Sequence, residues 1–487
     1  MFNNNPSFDI NTHVAASLEK INYKSARQLL NLCAYLASDG IPLLLLREGR
    51  DALPEPLRAA LADEQELNGV ISELSQHSLA RRQDGLLYLH RLAQEAVREN
   101  LAGDTRWLYC CLDMAGRAFR QKQGDSRSLS AFRQTVPHVL KIAKHAEKIL
   151  GGDKEAQNKT AWLYHEAAYG FYFDGQYQEA LIWYEKALAV RHKTQGPKHA
   201  DTATTYNNIA AVYTSIGDHE KALGFYRQAL TVYEEILGLG HPYTAAAYNN
   251  IAGVYNSQGA YSLALTWFQK ALSICENTLG TEHPYTAETY SNIAAVYDEQ
   301  DDWQKALKWY RKALVVKEKV LGAEHPHTAL TYHNIARAYF NQGDYQNALV
   351  WYGKDQAVRE KTLGAEHPTT VVSYNNVAAV YNKQGDYAQA LEWYSKALAI
   401  RKKTLGDQHP DTAVTCNNIA GVYSSQEDYQ QALAWYSRGY GILRRALGDA
   451  HPRTELLKNN LQSAYQKSAL PEPFEQWLLR SQITEAR

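Results

Sequence analysis

Residues 367–410 read HPTTVVSYNNVAAVYNKQGDYAQALEWYSKALAIRKKTLGDQHP, and this stretch decides the fold. Tyr374, Val377, Ala378 and Tyr381 fall at i, i+3, i+4 and i+7, the spacing that lines apolar side chains along one stripe of a helix. Gln384-Gly385-Asp386 breaks that helix, with Gly385 suited to a left-handed cap. Tyr387, Ala390, Leu391, Tyr394, Ala397 and Leu398 then share one face of a second helix, which stops at Leu405-Gly406. His409-Pro410 opens the next unit, with Pro at the first helical position and His as its cap.

The stretch is one copy of many. Its Asn375-Asn376 pair recurs as Asn207-Asn208, Asn249-Asn250, Ser291-Asn292, His333-Asn334, Asn417-Asn418 and Asn459-Asn460, always at a step of 42 residues and without insertion. The His-Pro pairs from His241-Pro242 to His451-Pro452 keep the same step, as do the aromatic pairs from Trp183-Tyr184 to Trp435-Tyr436. Seven helix pairs are expected, with second helices around Gln178, Glu220, Ser262, Gln304, Gln346, Ala388 and Gln430. The first departs, with His165-Glu166 in place of Asn-Asn and His199-Ala200 in place of His-Pro, as a boundary repeat would. After Pro452 comes one more first-type helix ending near Tyr465, then Pro471-Glu472-Pro473 and a short helix around Trp477. Residues 452–487 are read as the terminal cap that a solenoid needs.

The composition agrees. A chain of 487 residues is too long for one core. Tyr occurs 34 times against 2 Met, the mark of one structural position copied many times. With 51 Lys+Arg and 52 Asp+Glu, the charge balance gives no reason to expect nucleic acid or an anionic membrane as partner. The apolar run Ile41–Leu46 is far short of a membrane span, and the polar Met1–Ile10 shows no signal-peptide pattern. The five Cys are scattered without metal spacing, which fits a reducing cytoplasm.

The small-aromatic pattern Ala378, Tyr381, Gly385, Tyr387, Ala390, Tyr394, Ala397 resembles the tetratricopeptide repeat. That repeat is usually about 34 residues long, and the extra length is worth about two helical turns, expected in the second helix. The junction Leu-Gly-x-x-His-Pro-x-Thr-Ala is similar to that of kinesin light chains and many bacterial multidomain proteins. The resemblance implies an all-α, right-handed superhelical solenoid over residues 160–451, whose first helices line a concave wall.

On that wall lie the candidate binding residues: Asn207, Asn208, Asn249, Asn250, Asn292, His333, Asn334, Arg337, Asn375, Asn376, Asn417 and Asn418. Asn costs several tenths of a kcal/mol inside a helix, so its recurrence asks for a compensating role. An amide offers donors and an acceptor and can pair with the backbone of any peptide. Helices about 8–10 Å apart would match about three residues of extended chain. The resemblance to kinesin light chains, whose groove Asn residues hold cargo peptides, points the same way. The alternative is that one Asn of each pair bonds the neighbouring repeat and stitches the stack. At the break in the ladder, Arg337 stands where other repeats carry Ala or Gly. It would pair either a ligand carboxylate or one of Glu288, Asp298 and Glu299. Asp355 replaces an Ala that lies between helices and is costly there unless paired.

Other features read as structure. The recurrent His residues lie one per repeat and start helices rather than share a metal. The Tyr and Trp stripes are core, Cys110-Cys111 sits on a buried helix, and Arg401-Lys402-Lys403 is a solvated face.

Residues 1–100 are not repetitive. Helices at Ser25–Ala37 and Asp63–Leu79, the loop Leu53-Pro54-Glu55-Pro56, and a hairpin in which Ser78-Leu79 and Leu86-Leu87-Tyr88-Leu89 flank Arg81-Arg82-Gln83-Asp84-Gly85 describe a mostly helical, winged-helix-like domain with a small β-hairpin. A further helix runs from His90 to Val97. The strings Ala26-Arg27-Gln28-Leu29-Leu30 and Leu89-His90-Arg91-Leu92-Ala93-Gln94 resemble the winged-helix segment of STAND (NB-ARC-type) signalling ATPases. Leu89-His90-Arg91 is similar to the motif whose His reads the bound nucleotide; a packed or capping His is the alternative. Residues 101–159, with Pro137-His138-Val139-Leu140, resemble the helical connector of that family. Yet the sequence holds no GxxxxGK[ST] phosphate loop, so no NTPase, cofactor or metal chemistry is expected of it. The helix 63–79 is acidic, which speaks against DNA binding. The expected function is a protein- or peptide-binding scaffold, the sensing half of a STAND-type system whose nucleotide-binding partner is a separate protein. The alternative is a freestanding adaptor of kinesin-light-chain type.

Overall fold

The computed structural model describes residues 16–38, 40–120 and 129–485; the polar stretch Met1–Ile10 lies outside them. The chain divides into two compact units, Met1–Val254 and Tyr255–Arg487.

The first unit opens with helices α1 (Lys24–Cys33), α2 (Leu43–Glu48), α3 (Leu57–Ala62), α4 (Glu64–Gln76) and α5 (Arg91–Asn100), and strands β1 (Ile41–Pro42), β2 (Ala80–Gln83) and β3 (Leu86–Leu89). The strands form one antiparallel sheet in the order β1-β3-β2. Asp84 and Gly85 both take positive φ, 51° and 76°, which a two-residue hairpin turn requires. Asp63 caps α4 by accepting the Gln65 and Glu66 amides at 2.8 and 2.9 Å. The buried Glu73 carboxylate takes the Asn22 amide at 2.6 Å, just ahead of α1, and Gln94 closes the other end of α1 by donating to the Cys33 carbonyl at 2.8 Å. The winged-helix-like layout is present, with one strand, β1, more than the hairpin. The connector helices α6 (Arg106–Arg120) and α7 (Leu129–Ile149) fasten to this module through buried His138, which donates to the Gly40 carbonyl at 3.1 Å.

Helix pairs follow in the first unit, α8 (Lys154–Phe173) with α9 (Tyr177–Thr194) and α10 (Ala200–Ile216) with α11 (His219–Ile236); then come α12 (Pro242–Ser257) and α13 (Tyr261–Thr278); and in the second unit α14 (Pro284–Glu299) pairs with α15 (Trp303–Val320), α16 (Pro326–Gln342) with α17 (Tyr345–Leu363), α18 (Pro368–Gln384) with α19 (Tyr387–Leu405), and α20 (Pro410–Ser425) with α21 (Tyr429–Leu447). Helices α22 (Pro452–Lys467) and α23 (Phe474–Glu485) come last. The architecture is an all-α solenoid. Its first helix begins at Lys154, six residues ahead of the expected start, because Asp153 caps it on the Ala156 amide at 3.0 Å.

The repeat's signature residues each close a local bond. His199, His241, His283, His325, His367, His409 and His451 accept, through Nδ1, the backbone amide two residues on, at 3.1–3.3 Å. The Thr three positions after His241, His283, His325, His367 and His409 donates to the preceding Gly carbonyl at 2.8–2.9 Å. Gly217, Gly343 and Gly385 end first helices in the left-handed conformation.

Successive pairs are held by a side-chain seam. Tyr248, Tyr290, Tyr332 and Tyr374 donate to Glu234, Glu276, Glu318 and Glu360 of the preceding second helix at 2.5–2.6 Å. Lys312, Lys354 and Lys396 lie 4.0–5.6 Å from the Tyr and Trp rings of the same seams. A bond to a charged acceptor contributes more than a neutral one, and each cation–π contact adds about 0.5–1 kcal/mol. Replacing Tyr332 by Phe is therefore expected to cost about 1–2 kcal/mol in urea unfolding. Tyr381→Phe, whose hydroxyl has no such partner among the described residues, is expected to stay within about 0.5 kcal/mol.

Candidate functional site

The Asn pairs sit in mid-helix on the first helices, so the helix geometry presents two amides per turn at each repeat. Their bonding follows a rule. Asn207 and Asn417, first of their pairs, donate to the following Asn at 3.2 and 3.3 Å. Their own oxygens accept the second-position amide one repeat later, from Asn250 at 2.8 Å and from Asn460 at 3.0 Å. At the boundary repeat His165 takes this part, its Nε2 lying 3.0 Å from the Asn208 amide. These amides join successive first helices.

The rule lapses at three repeats of the second unit, those of Ser291, His333 and Asn375. Ser291 gives its hydroxyl to the Ala287 carbonyl and receives buried Lys317, both at 3.1 Å. His333 turns to Asp355, Nδ1 to Oδ2 3.7 Å. Asn375 folds onto its own helix, donating to the Val371 carbonyl at 2.8 Å, with its oxygen buried and unpartnered. None of these three side chains engages the Asn amide of the following repeat among the described residues. Among the described residues the side chains of Asn334 and Asn376 make no hydrogen bond, and Asn418 only accepts, from Asn417. All three are half-buried. Asn292 also has no hydrogen-bond partner among the described residues, whereas Asn249 is buried and engaged. Leu330 and Val372, one turn before Asn334 and Asn376, are 47% and 43% exposed.

Arg337 lies beside this open stretch. Its Nε and Nη2 donate to one oxygen of Asp298 at 3.1 and 2.7 Å, so of the three acids considered from sequence it is Asp298 that it pairs. The Asp298 side chain is 3% exposed and that of Arg337 40%, so the guanidinium keeps a solvent-facing side.

Asp355 is fully buried and fully paired. Arg359 donates to it at 2.5 Å, Ser373 at 2.6 Å, and His333 stands beyond. Burial alone would raise this carboxyl, but the His333, Ser373 and Arg359 donors outweigh it and hold it below the ordinary Asp value. The seam there holds an ion pair in place of a methyl group. Sequence reading missed this partnership and its relatives. Lys317, Arg359 and Arg401 occupy one column of the repeat, and the hydroxyls of Thr331, Ser373 and Thr415 stand fourteen residues on. Lys317 reaches Thr331 at 3.0 Å and Arg401 reaches Thr415 at 2.7 Å. The recurrence of a basic residue in one column with a hydroxyl in the other, as also at Arg191 with Thr205, was the available signal. His90, the residue matched to a nucleotide-reading motif, caps α5 by accepting the Leu92 amide at 3.3 Å.

Residues 159–235, 243–319, 299–354, 328–403 and 369–445, more than half of the chain, match the model of the tetratricopeptide repeat. Residues 16–106 match a domain of unknown function. No curated protein matches the chain. Among solved structures, a Signal Transduction ATPase with Numerous Domains (STAND) protein with a tetratricopeptide repeat sensor, from Pyrococcus horikoshii, is similar over 99% of this chain and 67% of its own, at 17% identity and TM-score 0.58. The nearly identical TPR-like repeats of a kinesin light chain from Podosopora anserina are similar over 42% of this chain and 98% of theirs, at 26% identity and TM-score 0.39.

Asp355→Ala would leave the half-buried Arg359 without its partner, and is expected to destabilise the chain by about 1–3 kcal/mol in chemical denaturation. Adding Arg359→Met should recover most of that loss. Because the native carboxyl is depressed, its stabilising contribution is complete above the ordinary Asp value of about 3.9. It is lost as pH falls through the lower native value. The acid limb of the stability curve should therefore flatten in the double variant.

Proposed function

Because the chain belongs to the tetratricopeptide repeat family, a family of protein-interaction scaffolds, we propose that it binds an extended polypeptide across the first helices of its second unit. The observation that carries this reading is the run of open amides at Asn334, Asn376 and Asn418, one per repeat. Each can donate to a backbone carbonyl of a visiting chain, and Leu330 and Val372 offer aliphatic contact beside them. The outer side of the Arg337 guanidinium, already oriented by Asp298, adds a donor for a ligand carboxylate. In the remaining repeats Asn207, Asn208, Asn250 and Asn417 are read as stitching first and binding second.

We further propose that the 1–100 module and its connector relay occupancy of the repeats to a nucleotide-binding protein supplied separately. The support is the resemblance of Leu89-His90-Arg91 and its surroundings to STAND ATPases; the fold shared with the Pyrococcus horikoshii protein is compatible with it. Nucleotide-dependent association with a separate ATPase in pull-downs is the expected outcome. Association that ignores nucleotide would remove this part and leave a simple adaptor.

Affinity capture followed by mass spectrometry supplies the partner, and titration of a peptide from it tests the site. Asn334→Ala with Asn376→Ala is expected to weaken binding about tenfold or more, each lost bond being worth about 0.5–1.5 kcal/mol. Ala is the better helix former, so the fold should persist. Asn250→Ala should change affinity less than about twofold. The reverse ranking would reject the open amides as the binding face.

A further inference from the structure

Helix α15 is unlike its counterparts. It carries six basic residues, Lys305, Lys308, Arg311, Lys312, Lys317 and Lys319, and one acidic residue, Glu318, in a chain of net charge −1. Several of these cations have work within the fold. Lys317 is buried against Ser291 and Thr331. Lys305 pairs with Asp302 at 2.6 Å and Lys319 with Glu282 at 2.6 Å. Lys312 stacks 4.5 Å from the Trp309 ring. Arg311 donates to the Tyr339 hydroxyl and Lys308 has no partner, so among the described residues neither meets a carboxylate.

These two cations border a shallow depression of about 520 Å³ lined by Gln304, Leu307, Lys308, Arg311, Lys312 and Val315. The spacing i, i+3, i+4, i+7, i+8, i+11 places all six on one face of the helix. No acid lines it. Leu307 is 8% exposed and forms an apolar floor, whereas Val315 is 67% exposed. The repeat itself asks for neither Val315 nor Lys308. The equivalents of Val315 are Ala189, Thr231, Ser273, Ala357, Ala399 and Gly441. Those of Lys308 include Gly224, Thr266, Val350, Glu392 and Ala434.

We propose that this face of α15 is a separate docking surface for an acidic segment of a partner protein, with an aliphatic side chain set among its carboxylates. The carboxylates meet Lys308, Arg311 and the outer side of Lys312, and the aliphatic group covers Val315. The charge is of one sign, and the apolar floor distinguishes such a segment from a bare phosphate. The basic face spans only about 10 Å from Lys308 to Val315, too short to track a duplex that carries a charge about every 1.7 Å. The surface lies on a second helix and stands apart from the amides of the first helices.

The full chain is titrated with a labelled peptide of sequence acetyl-Glu-Glu-Leu-Leu-Glu-Glu-amide. The same assay is run with its Gln-for-Glu counterpart, with inorganic phosphate, and with phosphatidylcholine vesicles containing phosphatidylserine. Expected are binding of the acidic peptide and a loss of about tenfold with Lys308→Glu/Arg311→Glu. A comparable loss is expected with the Gln peptide, and no change with Asn334→Ala/Asn376→Ala. Lys308→Gln/Arg311→Gln and Val315→Asp serve if charge reversal disturbs folding, which circular dichroism reports. The proposal is overturned if the peptide does not bind, or binds these variants equally. It is likewise overturned if phosphate displaces the peptide at equal concentration, or if the vesicles bind and the peptide does not.

Discussion

Between one first helix and the next there is room for a methyl group and little more. Ala187, Ala229, Ala271, Ala313 and Ala397 hold that position and are wholly buried. At the last pair the residue is Gly439, where an added Cβ would come within 3.0 Å of the Ala413 carbonyl and 3.1 Å of Leu457. Close packing of this kind leaves little tolerance for volume change. It is also what brings each Tyr hydroxyl within reach of the Glu on the preceding helix, and one Asn amide within about 3 Å of the next. The recurrent polar bonds are consequences of that approach.

Asp355 is the exception that explains the neighbourhood. A carboxylate in the methyl position demands donors, and Arg359, Ser373 and His333 supply them. Among the described residues neither His333, facing Asp355, nor Ser291, which receives Lys317, engages the Asn amide of the following repeat. The open amides of Asn334 and Asn376 therefore lie beside the polar groups buried inside the stack, and His333 borders both.

The 42-residue step made the helices, their His caps and the aromatic core stripes legible, because each is a local pattern repeated with little change. The hairpin was equally plain in Asp84-Gly85. Strand β1 was not, since two residues carry no periodicity and only pairing with Leu86 and Leu87 defines it. The early start of α8 depended on Asp153 acting as a cap rather than as part of a loop. The partner of Arg337 was narrowed to three acids but no further, because the choice rests on which side chain points across the seam. The division of the Asn ladder into stitched and open amides also lay beyond sequence reading. It turns on where Asn375 directs its amide, which an identical Asn-Asn pair at 417–418 does differently.

Hydrogen–deuterium exchange of the full chain with and without its captured partner tests binding across the second unit most directly. Bound partner should slow exchange in α16, α18 and α20, the helices that carry Asn334, Asn376 and Asn418, more than in α10 and α22. Protection confined to α10 and α22, or to the 1–100 module, would contradict it.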